Sequence, residues 1–437
     1  MSQSSKFLSG IFKGDRVIWV IFTLLCVFSI VEVASGMATL VYHTDNYSGL
    51  IIAHIGKLLF GLACIVLVSN VPYRFFGIAV PFQIASFLML VWVIVAGHVT
   101  NGASRWLTVP LIGLRFQPSE IAKLSSVVLV AYFLSKQKVL GEARTFRWIL
   151  WATLPVILLI AKDNFSTGLL LSIVLYLIMC IGGISWQRLL KTAGVVLLAG
   201  ALFAGVLFGM KEPWLSYSDT HFHTRFLTWK ARIERFFEAK EVKVDAATYV
   251  VTDENRQETY AKVAIADGGL GKFPGRGVQS NFLPQAYSDY IYAIIIEETG
   301  LAGGFLVLLL YLILLIRVGI IARRCEKLFP KLLVLGCGLM IGVQALANMA
   351  IVVGIFPVTG QPLPLISRGG TSTVITCVYI GIILSVSRFG AGMDGEDEEE
   401  DEEDDEDIVQ IDSDIDDSLA VETIQSLDAA PNKLSET

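Results

Sequence analysis

A chain of 437 residues that is 54% hydrophobic and only 17% charged, with a mean hydropathy of +0.64, lies outside the balance of soluble globular domains. Those proportions exclude an ordinary soluble enzyme and describe a membrane protein. The net charge of −6 averages two unlike parts: from Asp394 onward the chain holds 20 of its 40 acidic residues with Lys433 as their sole base, so the tail carries −19 and residues 1–393 carry +13.

At the N-terminus, Lys6, Lys13 and Arg16 precede an apolar run at 17–37 that is too long for a cleavable signal and reads as a retained anchor. Scanning for roughly 17 to 25 mostly apolar residues then places ten spans near 17–37, 51–69, 75–97, 119–135, 147–161, 167–183, 189–209, 290–316, 332–353 and 371–387. Short loops on the N-terminal side hold sixteen Lys and Arg, and the opposite short loops hold four: Arg105, Arg115, Lys162 and Arg368. That asymmetry places both termini in the cytoplasm, and an even number of spans agrees with it. The expected fold is an all-α integral membrane protein with a cytoplasmic segment 1–16, a ten-helix domain 17–393 and a tail 394–437. A large extracytoplasmic loop, 210–288, separates spans seven and eight.

In that loop Phe222, Phe226, Trp229, Ile233 and Phe236 recur at helical spacing with Arg225, Arg232 and Arg235 mostly off the stripe. They predict a basic amphipathic helix, lying either in the headgroup layer or on the protein's own surface. The tail, with 13 carboxylates among residues 394–407, is expected to be disordered, as a spacer or a docking segment for a basic partner. The six cysteines sit in or beside apolar runs without a CxxC and read as small buried hydrophobes. His221 and His223 form an HxH without a third ligand, a weak metal signal.

Four polar constellations stand where hydrocarbon is expected or at its edge. Gln117-Pro118-Ser119-Glu120-Ile121-Ala122-Lys123 starts a helix with proline in its first turn and sets a carboxylate and an ammonium at i, i+3 on one face. The pair is either a structural ion pair or the lining of a polar cavity open to the outer side. Glu32 and Lys57, alone in the first two spans, are read as snorkelling or pairing with one another. Asp289, at the outer start of span eight, is either a helix cap or an ionised general base beside apolar walls. Between the last two spans, Pro357, Pro362 and Pro364 with Gly360, Gly369 and Gly370 forbid a continuous helix. The bent loop they predict delivers Ser367, Arg368, Thr371 and Ser372 to the start of helix ten, a site suited to an anion such as pyrophosphate.

Taken together, the Arg115 to Lys123 segment, Phe282-Leu283-Pro284 followed by Ser288-Asp289-Tyr290-Ile291-Tyr292-Ala293 and Glu297-Glu298-Thr299-Gly300, and the proline-glycine run ending Ser367-Arg368-Gly369-Gly370-Thr371-Ser372 resemble the SEDS family (shape, elongation, division and sporulation) over roughly residues 15–390. The resemblance implies a peptidoglycan glycosyltransferase that polymerises lipid II at the outer face of the cytoplasmic membrane. It implies Asp289 as the base that deprotonates the acceptor 4-hydroxyl, with undecaprenyl pyrophosphate leaving from the growing chain. It also implies that Glu120 and Lys123 line the central cavity, and that Arg105, with Ser367, Arg368, Gly369, Gly370, Thr371 and Ser372, contacts substrate. Expected partners are lipid II, undecaprenyl-pyrophosphate-linked glycan, a monofunctional class B penicillin-binding transpeptidase and other division proteins in the inner membrane, with no nucleic acid. A divalent cation, Mg or Mn, is compatible with the pyrophosphate, and no metal cluster is visible in the chain.

The chain departs from the family pattern at Arg368, where an aromatic is common, at Tyr287-Ser288, and at Asp163-Asn164-Phe165-Ser166-Thr167. The last stretch and 279–284 bring it nearer the division members than the elongation members. The rival readings are a lipid II flippase, an elongation-type polymerase, and a non-catalytic division scaffold acting through its tail.

Overall fold

The computed structural model describes residues 13–36, 47–96, 98–100, 103–108, 115–209, 230–231, 234, 251, 255–274, 276–279, 282–283 and 287–390. The acidic tail, His221, His223 and most of the expected amphipathic helix lie outside them. Ten helices of 17 or more residues stand among the described residues: α1 (Arg16–Gly36), α2 (Tyr47–Ser69), α3 (Ala79–Ala96), α4 (Pro118–Ser135), α5 (Glu142–Asp163), α6 (Phe165–Ile181), α7 (Trp186–Gly209) and, after the shorter α8 (Arg256–Gly268), α9 (Ile291–Arg324), α10 (Leu328–Val352) and α11 (Thr371–Phe389). They coincide one for one with the ten expected segments. Six are long and apolar enough to cross a membrane by length and composition, and two shorter ones, α3 and α6, are equally apolar.

Helix ends run past the expected bounds where polar residues continue the helix beyond the hydrocarbon run. α5 begins at Glu142 rather than 147, and α9 continues to Arg324 rather than 316. The all-α expectation needs one addition. Strands β1 (His98–Thr100), β2 (Ala103–Thr108) and β3 (Arg115–Phe116) form a small antiparallel sheet between α3 and α4, in the order β1-β2-β3.

Helices α4 and α10 form the centre. From Pro118 to Leu134 nearly every residue of α4 is buried, and α10 packs against α4, α6, α9 and α11. The outer helices turn apolar side chains outward, among them Leu59, Val95, Trp151 and Leu197. A chain whose solvent is lipid has this arrangement, because burying apolar surface gains little there and polar contacts and close packing hold helices together. One such contact set joins α3 to α4: Ser125 donates to Gln83 Oε1 at 2.7 Å and lies 2.7 Å from the Ser86 hydroxyl, while Gln83 Nε2 donates to the Ala152 carbonyl at 3.1 Å.

At the end of the bundle where α1 begins, Asp15 accepts from the amides of Val17 and Ile18 that open α1 and binds Arg317 of α9 at 2.6 Å, while its own amide donates to Ser387 of α11. Burial works to raise the Asp15 pKa, and it is outweighed by the Arg317 guanidinium and the two amides, which hold the carboxyl below its ordinary value. The six cysteines are all unpaired thiols, buried or half-buried, in accord with packing roles.

Helices α2 and α11 run parallel and touch along their length. Gly61 meets Cys377, Gly381 meets Val68, and the Ser385 hydroxyl donates to the Val71 carbonyl. A Cβ on Gly61 would fall 2.6 Å from Cys377 Sγ. We therefore expect Gly61→Val to lower the thermal midpoint of the detergent-purified protein, at a cost of about 1–3 kcal/mol, and Cys377→Ala to restore part of it; an unchanged midpoint would refute this packing.

Candidate active site at the outer end of the helix bundle

The outer end, as the loop charges assign it, holds the starts of α4, α6, α9 and α11 and the end of α10. Proline at the first position of α4 sets the helix without requiring an amide partner. One turn in, Lys123 Nζ lies 2.9 Å from Glu120 Oε1, with the side chains 1% and 10% exposed. Lys123 also donates to Gln344 Oε1 at 3.3 Å, and Gln344 Nε2 donates to the Pro362 carbonyl at 3.1 Å. The buried ion pair is thereby joined through α10 to the proline-glycine loop.

One turn along α10, Asn348 Nδ2 donates both to the Gln361 carbonyl at 2.6 Å and to the Asp289 carbonyl at 2.9 Å. Gln361 Nε2 in turn donates to Thr167 Oγ1 of α6 at 2.7 Å. Gln344 and Asn348, two amides at i, i+4 on one face, fasten the loop to the ion pair and to Asp289. Neither was singled out from the sequence, although two amides a turn apart inside an apolar span were there to be noticed.

Asp289 is half-buried just before α9. Tyr290, not Asp289, occupies the N-cap position of α9 and makes no side-chain capping hydrogen bond. Ser288 donates to Asp289 Oδ1 at 3.0 Å, and Oδ2 lies against Gly360, where an added Cβ would approach it to 3.2 Å. Gly360 has φ +69, a conformation that suits glycine, and its missing side chain keeps the carboxylate's flank open.

The expected contact residues divide. Ser367 is 1% exposed, and its hydroxyl is committed to the chain: it accepts from the Leu363 amide at 2.8 Å and donates to the Ser288 carbonyl at 2.5 Å. It positions the Asp289 segment. Arg368 donates its amide to the Tyr287 carbonyl at 2.9 Å and sets its guanidinium over the Tyr287 ring at 5.5 Å. Thr371 accepts from the Gln117 amide at 3.3 Å, joining the starts of α11 and α4. Gly370 is the N-cap of α11, uncapped by any side chain, and the Trp106 ring lies above it. Gly369 and Ser372 meet each other beside it. Arg105 sits in β2, one residue before Trp106, and its side chain lies outside the described residues.

Asp163 ends α5, and Asn164 is the N-cap of α6, its side chain accepting from Thr167 N. Asp163, Asn164, Gln117, Pro118 and Ser119 line an open pocket with the apolar Leu90, Val93, Leu159 and Ile160. Among the described residues no group of three or more His, Cys, Asp or Glu side chains forms a metal-donor set.

The pairing of Glu32 with Lys57 is not made. Glu32 is 1% exposed with neither oxygen hydrogen-bonded, and Lys57 forms no ion pair among the described residues.

Residues 15–391 match the family model described as cell cycle protein, FtsW/RodA/SpoVE. The chain is 30% identical over 343 residues to the peptidoglycan glycosyltransferase MrdB of Escherichia coli K12, covering 77% of this chain and 85% of that one. It is 32% identical over 310 residues to a probable peptidoglycan glycosyltransferase FtsW of Halomonas elongata, covering 68% and 70%. Its fold matches a chain in a solved peptidoglycan synthase complex that coordinates polymerization and crosslinking, with a TM-score of 0.67, 25% identity, and coverage of 86% and 98%.

Proposed function

The chain belongs to the cell cycle protein family of FtsW, RodA and SpoVE, the SEDS proteins, and from that membership we propose how its outer site works. It is a multi-pass membrane protein and a peptidoglycan glycosyltransferase. Its reaction is the polymerisation of lipid II at the outer face of the cytoplasmic membrane.

The observation that carries the residue assignment is the mounting of Asp289. Its main chain is held by Asn348, its neighbours by Ser367 and Arg368, and its half-exposed carboxylate stands beside the bare flank of Gly360. Such a mount keeps an acid still without covering it, as proton transfer in a defined geometry requires. Asp289 accepts the proton of the acceptor 4-hydroxyl, the oxygen attacks the anomeric carbon of the growing chain, and the carbon–oxygen bond to the polyprenyl pyrophosphate breaks with its electron pair leaving on phosphate. Cations and helix amides near the leaving group stabilise that charge.

A class B penicillin-binding transpeptidase packed against the apolar flank is the partner we read for it, in keeping with the synthase complex that the fold resembles. The 164–167 and 279–284 stretches favour septal over lateral synthesis. The test is direct: the full chain, reconstituted with labelled lipid II, should yield glycan polymer, and a fluorescent fusion should gather at mid-cell. Absence of polymer with or without the transpeptidase overturns the enzymatic reading, and a lateral distribution overturns the septal one.

A further inference from the structure

Two polar contacts between α1 and α9 serve as depth marks. At one end Asp15 binds Arg317, with Lys13 and Arg16 next to it in the chain; at the other the Ser35 hydroxyl donates to Glu298 Oε1. Ser35 follows Asp15 by 20 residues and Glu298 precedes Arg317 by 19. At about 1.5 Å per residue the two marks stand about 30 Å apart, the thickness of a hydrocarbon layer. Between them both helices turn apolar side chains away from the bundle, Val20, Val27 and Val31 on α1 and Leu301, Phe305 and Ile316 on α9.

The turn that follows α8 meets α9 inside that interval. The Leu301 amide donates to the Gly269 carbonyl at 3.4 Å, and a Cβ on Gly300 would fall 2.8 Å from the Leu270 carbonyl carbon. Gly300 precedes Arg317 by 17 residues, about 26 Å along the helix, a depth that tilt can only shorten. The turn therefore lies at or just below the outer edge of the layer, yet Leu270 is fully exposed and Phe273 is 75% exposed. Phe273 has φ +72, a conformation that bulky side chains seldom adopt. The Glu298 carbonyl accepts its amide and that of Lys272, both at 2.8 Å, and so holds the turn with its ring outward. Lys272 reaches back to Asp267 at 3.5 Å and Glu297 at 3.7 Å, which draws its charge away from the apolar tip.

We propose that residues 269–273, part of the loop expected to lie outside the membrane, dip into the outer leaflet and set Leu270 and Phe273 among the upper acyl chains as an interfacial anchor. Lipid is the occupant, and not a protein partner, because Leu270 continues the outward apolar stripe of α9 at Leu301 and stands at the depth where that stripe already faces acyl chains. The inference rests on the membrane reading of the chain and is independent of the enzymatic one. It makes the outer leaflet part of the packing around the first turns of α9, since the anchored turn is the one that holds the Glu298 carbonyl.

The experiment uses the full chain in phosphatidylcholine nanodiscs, one copy per disc. Leu270→Cys, Phe273→Cys and Lys262→Cys are each labelled with the environment-sensitive dye nitrobenzoxadiazole, and wild type, whose six thiols are buried or half-buried, is the labelling blank. Lys262, half-exposed on α8 and close to Gly354 just past the end of α10, is the water reference. Labels at 270 and 273 should emit to the blue of the label at 262, lose fluorescence to phosphatidylcholine carrying a doxyl group high on its acyl chain, and resist iodide, while the label at 262 shows the reverse. Iodide quenching at 270 and 273 equal to that at 262, with no doxyl quenching, overturns the proposal. Protection from iodide that arises only when a transpeptidase or a second copy is added also overturns it, by assigning the patch to protein. A second measurement is free of the dye: the double variant Leu270→Ser with Phe273→Ser should speed amide hydrogen exchange across 269–273 in nanodiscs and leave α10 unchanged. Exchange at 269–273 that stays at the wild-type rate overturns the anchor.

Discussion

Asp289→Asn should reduce polymer formation from lipid II by about 10²- to 10⁴-fold, the range by which a positioned general base accelerates a reaction. The substitution keeps the shape of the side chain. Its Oδ1 still accepts from Ser288, and the main-chain carbonyl that Asn348 holds is untouched. What disappears is the ability to take a proton. The thermal midpoint should therefore stay within a degree or two of wild type, and substrate binding should persist, so that the loss falls on kcat. Polymer at more than about a tenth of the wild-type rate would remove Asp289 from the chemistry.

The second large effect is expected at the buried ion pair. Lys123→Met leaves Glu120 charged in a site where the two side chains are 1% and 10% exposed, and strips Gln344 of its donor. Removing one partner of a buried pair costs about 3–5 kcal/mol, because the remaining charge is left without compensation. The double variant Glu120→Gln with Lys123→Met removes both charges and should recover much of the thermal midpoint. If it recovers stability and still fails to polymerise, the pair also shapes the cavity; if it recovers both, the pair is structural. A single variant as stable as wild type would refute the burial on which the prediction stands.

Hydropathy made the ten helices legible, because every span must be apolar for some 20 residues whatever its neighbours do. It said nothing of the helix ends, where charged residues extend α5 and α9 beyond the hydrocarbon run. The 98–116 sheet was also unseen, since its strands are too short to carry a period. Asp289, Glu120 and Lys123 stood out because charge is rare inside such spans. Their scaffold did not: Gln344, Asn348 and Gln361 are neutral, and their role depends on which helices become neighbours, a property of the packed bundle alone. The same holds for Ser367, which sequence reading placed on the substrate and the fold places under the Asp289 segment.

The break in α9 bears on how Asp289 is aimed. A straight helix of 34 residues would run about 51 Å, against a hydrocarbon layer of about 30 Å. Gly300, at φ +74, divides it, and an added Cβ there would strike Leu270 and Gly271, so the bend closes only while that turn lies against it. The amides of Lys272 and Phe273 both reach the Glu298 carbonyl at 2.8 Å, and Glu297 takes the amides of Val278 and Gln279. The ten residues between the hinge and Asp289 are thus tied to residues 272, 273, 278 and 279 as well as to their own helix. The placement of Asp289 therefore depends on how that stretch of chain packs against the first turns of α9 as well as on the Asn348 amide that holds its carbonyl.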